Sequence, residues 1–155
     1  MEGKPVNTSY SEYTEIALPN DANSLGNLLG GKVMHLVDLA GAMAAMRHSR
    51  HVVVTASVDQ MQFLHPVRIG QWVRLKSAVN RVFRTSMEVG VKVWVEDLVK
   101  GEILHTSSAY LTFVALDSSG HPVSVPPVVP ETEIERDRYE AAGKRREYRL
   151  SMRKS

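Results

Sequence analysis

Cysteine is absent from all 155 residues, which removes disulfides, zinc–thiolate sites and a cysteine nucleophile from the chemistry open to this chain. Neither charge dominates: 19 Lys and Arg stand against 17 Asp and Glu, a formal net charge of +2 that is too balanced to favour a nucleic acid as partner. Long hydrophobic runs are missing as well. The most apolar stretch is interrupted by Lys32, His35 and Asp38 and falls short of the about 20 apolar residues that a membrane span requires. The amino terminus is polar and shows no apolar signal core. These absences predict a soluble, cytoplasmic protein with neither nucleic acid nor membrane as partner. Basic residues nevertheless gather at 47–50, 68–76, 81–84 and 144–154, which leaves small phosphate-bearing ligands open. The length suits one domain whose core needs no covalent staples.

What is present begins with a weakly alternating segment at 10–18, read as a first strand. Pro19-Asn20-Asp21-Ala22-Asn23-Ser24-Leu25-Gly26-Asn27 is dense in turn formers and reads as a loop. From Gly30 to Met46 the chain is helical in length and apolar on nearly every face, and it ends at Arg47-His48-Ser49-Arg50-His51, where cations suit the negative helix terminus. Residues 52–116 read as antiparallel sheet. Val52 to Val58 is β-branched, Met87, Val89, Val91, Val93 and Val95 occupy alternate positions, and strands at 71–82 and 103–116 flank that run through short turns. The order β-α-β-β-β-β predicts an α+β domain in which an antiparallel sheet clasps one long helix, the hotdog architecture. Pro122 to Pro130 is stiff and extended with little room for a ladder, and the tail from Glu131 is charged and helical in pattern. The organisation expected is one hotdog domain over 8–120, followed by a Pro-rich linker and a helical tail over 121–155.

Asp38 lies in the middle of the apolar helix. A helix apolar all round is normally wrapped by the rest of its protein, and a bare carboxylate inside it costs several kcal/mol to bury. Pairing with His35 one turn earlier or with a basic residue elsewhere, or a place at a leaky edge of the helix, would make Asp38 structural. Use in chemistry is the other reading, because the Gly30-Gly31 start leaves free backbone N–H groups at an anion-attracting terminus. His35, His48, His51 and His65 show no metal-binding spacing beyond a loose His48 and His51 pair and are read as structural or surface residues, with no metal expected.

The run from Pro19 to Gly31, followed by Met34-His35-Leu36-Val37-Asp38-Leu39-Ala40-Gly41, resembles the signature of hotdog acyl-CoA thioesterases of the cytosolic acyl-CoA hydrolase type. Val54-Thr55-Ala56-Ser57-Val58-Asp59, Phe63-Leu64-His65-Pro66-Val67 and the segment into Pro130-Glu131-Thr132-Glu133 continue the resemblance over most of residues 13–149. It implies hydrolysis of fatty acyl-CoA to free acid and coenzyme A, with no cofactor beyond the coenzyme A of the substrate. It further implies Asp38 as base or nucleophile, Asn23 holding water, the Gly30 N–H polarising the thioester carbonyl and Ser57 assisting Asp38. Asp38, two turns beyond Gly30, is expected to reach the same carbonyl carbon through one water. Leu29 departs from many relatives, where a histidine precedes the Gly-Gly pair, so no role transfers to that side chain. Gly31 leaves the backbone approachable, and Arg47, Arg50 and the Arg84-Thr85-Ser86 turn are candidates for the coenzyme A phosphates, since a fork of donors suits phosphate. A single hotdog leaves a sheet edge and one side of the long helix needing cover, which a two-fold partner provides. The resemblance accordingly implies a homodimer as the minimal active unit, with Asn23 and Gly30 of one chain opposite Asp38 and Ser57 of the other, assembling into a trimer of dimers, a hexamer. Two other readings of the same fold are a dehydratase or hydratase, which would want a histidine paired with an acid, and a non-catalytic acyl-CoA-binding regulator, which should lack the carboxylate.

Overall fold

The computed structural model describes residues 1–153. Helix α1 (Gly30–Ser49) lies across a five-stranded antiparallel sheet of order β2-β4-β5-β6-β3, built from β2 (Ser11–Ile16), β3 (Val52–Met61), β4 (Trp72–Phe83), β5 (Ser86–Asp97) and β6 (Glu102–Leu116). The alternation in β5 does what its pattern predicts. Met87, Val89, Val91, Val93 and Val95 are buried toward α1 with Val73, Leu75 and Val79 of β4 and Ala109, Leu111, Phe113 and Ala115 of β6. Each Val or Leu so buried contributes about 1.5–3 kcal/mol. The helix approaches closely because Gly41 has no side chain: a Cβ there would sit 2.9 Å from the Phe113 ring. Ser77 Oγ, pointing inward among these apolar groups, donates to the Ala40 carbonyl at 2.6 Å.

The opposite sheet face is covered by α2 (Glu133–Met152), the charged tail helix, which starts at Thr132 with a side-chain cap accepting from the Glu135 N–H. Its anchors are arginines. Arg145 grips the fully buried Glu88 carboxylate with two nitrogens, at 2.7 and 2.9 Å, and lies 3.7 Å from the Tyr110 ring centroid. Arg149, one turn on, donates to Asp59 of β3 at 2.6 Å. The Pro-rich segment, expected to have little room for a ladder, forms one of two residues: β7 (Val128–Val129) pairs in parallel with β1 (Lys4–Pro5). No helix among the described residues is long and apolar enough to cross a membrane.

One side of α1 is left open by a single chain, as expected of a lone hotdog. Within one chain the helix is covered on one side only, and Met34, Leu39 and Met46 stay 47, 39 and 45% exposed. Beside them β3 is a sheet edge whose Val52, Val54 and Val58 are also exposed. Such an apolar helix stripe beside an open strand is a surface that needs a partner.

His48, near the end of α1, is fully buried. Its Nε2 donates to the Pro126 carbonyl at 2.7 Å, and Lys4 Nζ donates to the His48 carbonyl at the same distance. Burial holds its pKa below the ordinary 6.5, outweighing the raising effect of the Pro126 bond, and the Lys4 charge lowers it further. The unfolded chain therefore takes up a proton near pH 6.5 while the folded chain resists it. Stability is fully present above that pH and falls as the solution is acidified below it. Thermal melts between about pH 7.5 and 5.5 should show this decline, and His48→Gln should flatten the part of it that arises here.

Candidate active site

The loop before α1 is held as a compact unit by Asn23. Its side-chain Oδ1 accepts from the Leu25 and Asn27 N–H groups at 2.9 and 3.2 Å, while its backbone N–H donates to the Asn27 carbonyl at 2.8 Å. Gly26, at φ +79°, takes the left-handed turn that this loop requires. The Leu29 N–H donates to the Asp21 carbonyl at 2.8 Å and ties the loop to the helix start. Asn23 thus spends its oxygen on the loop, and the exposed side chain keeps its NH2 group as a donor.

Within α1 the first N–H groups bonded to a carbonyl of the helix start are those of Lys32 and Val33, both to Leu29. The N–H groups of Gly30 and Gly31 therefore lie at the positive end of the helix without an intrahelical acceptor. Both glycines are exposed, and a Cβ on Gly30 would lie 3.8 Å from the Phe63 ring, so an apolar wall stands beside the free amides.

Asp38 is half-buried on the uncovered side of the helix. Its Oδ1 accepts from Thr55 Oγ1 at 2.6 Å. Neither His35 nor a base from elsewhere pairs with it among the described residues; a hydroxyl on the edge strand orients it instead. Charge-assisted hydrogen bonds of this kind are short and strong, and this one fixes one carboxylate oxygen.

Ser57, predicted to assist Asp38, does not reach it. Thr55 pairs with Phe113 of β6, whose ring packs on α1, but Ser57 pairs with Thr112, because one extra residue, Ala56, bulges between them. A one-residue insertion turns the following side chains to the other face of a sheet. Ser57 therefore lies on the α2 face with its hydroxyl buried and unpartnered, and Thr55 takes the place at Asp38.

The single-chain geometry between Gly30 and Asp38 is also corrected. Eight residues on one helix separate them by about 12 Å along its axis, too far for both to act on one carbonyl. Among the candidates for phosphate contacts, Arg47 is engaged with the Tyr10 carbonyl and Ser11 Oγ, at 3.1 and 2.7 Å. Ser86 is buried beside Arg146 of α2. Thr85 is held in the β4–β5 turn, its N–H donating to the Phe83 carbonyl. Arg50 and Arg84 are both at positive φ and both exposed.

An antiparallel sheet clasping one long helix, with a second helix on the far face, is the architecture of the hotdog proteins. The thioesterase superfamily model matches residues 25–102, and the chain belongs to that superfamily. An uncharacterised acyl-CoA thioester hydrolase of Bacillus subtilis is 46% identical over 134 residues, covering 86% of this chain and 74% of its own. The crystal structure of a hexameric acyl-CoA thioesterase superposes with a TM-score of 0.94 at 41% identity, covering 98% of this chain and 97% of that one. The acyl-CoA hydrolase of Staphylococcus aureus, solved with butyryl coenzyme A and coenzyme A, gives a TM-score of 0.90 at 35% identity over 97% of this chain and 92% of that one. The same hydrolase has been solved with an aspartate, an asparagine and a threonine each replaced by alanine.

Proposed function

We propose that the protein hydrolyses fatty acyl-CoA to free fatty acid and coenzyme A, at a site to which two chains contribute. The observation that carries this reading is Asp38, on the open side of an apolar helix and fixed by Thr55 at 2.6 Å. The three residues replaced in the Staphylococcus aureus hydrolase are spaced along their chain as Asn23, Asp38 and Thr55 are along this one, which supports assigning these three to the reaction.

The chemistry follows from the groups. Water, or Asp38 itself, attacks the thioester carbonyl, a C–O bond forms and the C–S bond breaks. The departing sulfur takes a proton, from the Asp38 carboxyl in the water route and from solvent in the other, and leaves as the thiol of coenzyme A. An anhydride formed on Asp38 would then be cleaved by water to the free acid and the carboxylate. If water attacks, Asp38 takes its proton. The oxyanion that develops is met by the Gly30 N–H at the positive helix end, an effect worth roughly 3 kcal/mol per donor in other acyl transfers. Asn23 directs its NH2 group at the water or the carbonyl. Thr55 keeps the carboxylate in one orientation, so little reorganisation is needed as charge moves. Gly31 leaves room for the backbone to approach the pantetheine arm, and Arg50 and Arg84 offer guanidinium forks to the nucleotide phosphates.

Because Gly30 and Asp38 are about 12 Å apart in one chain, two helices related by a two-fold must run antiparallel to bring Gly30 and Asn23 of one chain to Asp38 and Thr55 of the other. The exposed stripe of Met34, Leu39 and Met46 and the open β3 edge supply the surface for that pairing. Dimers of this kind assembling in threes would give the hexamer.

Thiol release from acyl-CoAs of increasing length, from acetyl to palmitoyl, tests the activity and reads out the preferred chain at once. Turnover of at least one is expected. Tight binding without release would instead indicate a regulator. Within the site, Thr55→Val removes the donor and keeps the shape, and kcat should fall by about tenfold or more. Ser57→Ala should leave kcat within about twofold. Steady-state kinetics of the pair decides which hydroxyl serves Asp38, and the reverse order would contradict the assignment.

A further inference from the structure

Strand β3 carries two bulges rather than one. Pairing with β6 shifts between Thr55 and Ser57 and again between Asp59 and Met61, where Gln60 has φ +41°. Side chains before Ala56 and after Gln60 follow one phase, with Val53, Thr55 and Met61 on the α1 face. Between the bulges the phase is inverted: Ser57 and Asp59 pair with Thr112 and Tyr110 on the α2 face.

Two side-chain contacts depend on this inversion. Thr55 reaches Asp38 on one face, and Asp59 receives Arg149 of α2 at 2.6 Å on the other, with both members of the ion pair about four-fifths covered. In a regular strand Thr55 and Asp59 share a face, so only one of these contacts would survive. The bulge at Ala56 is what allows both, and holding Asp59 toward α2 holds the bulge. Helix α2 is a firm reference for this, since Arg145, one turn before Arg149, is locked on buried Glu88, which also accepts from Asn80 Nδ2 at 2.9 Å. Without that hold, sliding out of Ala56 would turn Thr55 away from the carboxylate.

We propose that Arg149, through Asp59, is a positioning residue for the reaction: the C-terminal helix sets the phase of β3 and thereby keeps Thr55 on Asp38. This rests on the reading of Asp38 and Thr55 above. Arg149 touches no substrate, and its effect passes through one ion pair and one bulge.

Arg149→Met removes the charge and keeps most of the stem, and Asp59→Asn removes it from the other side. For each folded variant, kcat on an acyl-CoA should fall by about tenfold with KM near that of the parent, since the acyl-CoA contacts are untouched. The loss should vanish in a Thr55→Val background, where no contact is left to position, and the swapped pair Asp59→Arg with Arg149→Asp should recover part of it. A lower melting temperature with kcat unchanged would overturn the proposal, and so would an equal loss of kcat with and without Thr55. If Thr55→Val is itself fully active, the underlying reading fails and this one with it. If Thr55→Val is impaired while Arg149→Met and Asp59→Asn are not, only the positioning role is lost.

Discussion

Asp38→Asn should keep the fold and lose hydrolysis, with kcat reduced by roughly 10²- to 10⁴-fold. The substitution preserves size and the ability to accept from Thr55 Oγ1, so the 2.6 Å contact to β3 has a replacement, whereas the base or nucleophile has none. Folding is expected to survive because Asp38 is half-buried on the uncovered side of α1 rather than sealed in the core. Losing it therefore leaves no buried ionic partner stranded. Circular dichroism and thermal melting beside steady-state thiol release separate the outcomes. A folded Asp38→Asn chain that hydrolyses at the parent's rate would remove Asp38 from the mechanism, and a chain that fails to fold would return the residue to a structural role.

Periodicity made most of the architecture readable. The alternate apolar residues of β5 and the apolar length of α1 encode which faces meet, and both elements lie where those patterns put them. The Gly-Gly start of the helix and the turn-forming loop around Asn23 were legible for the same reason, since backbone demands of this kind are local. What was hidden depends on contacts far apart in sequence. Ala56 bears no mark of a bulge, with neither glycine nor proline beside it, so strict alternation gave no reason to prefer Thr55 over Ser57. Asp59 and Arg149, 90 residues apart in sequence, meet in one ion pair that no local pattern announces. Glu88 was hidden likewise: it stands in the polar register of β5, yet Arg145 and Asn80 bury it completely. The apolar outer face of α1 was legible as a surface for a second chain. Its composition speaks of burial, and one chain leaves it bare.

That bare face leads to the measurement that bears most directly on the account, the mixing of two inactive chains. Asn23→Ala removes the NH2 donor from the loop before the helix, and Asp38→Ala removes the carboxylate from its middle. If each site draws Asn23 and Gly30 from one chain and Asp38 and Thr55 from the other, homodimers of either variant carry two damaged sites. A mixed dimer then carries one site with both lesions and one site with neither. The two sites share no residues, so co-refolded mixtures should recover up to about half the parent activity per mixed dimer, in proportion to the mixed dimers counted by native mass spectrometry. Mixed dimers present in quantity but no more active than the variants alone would show that Asn23 and Asp38 serve within one chain or not at all, and would contradict the two-chain site.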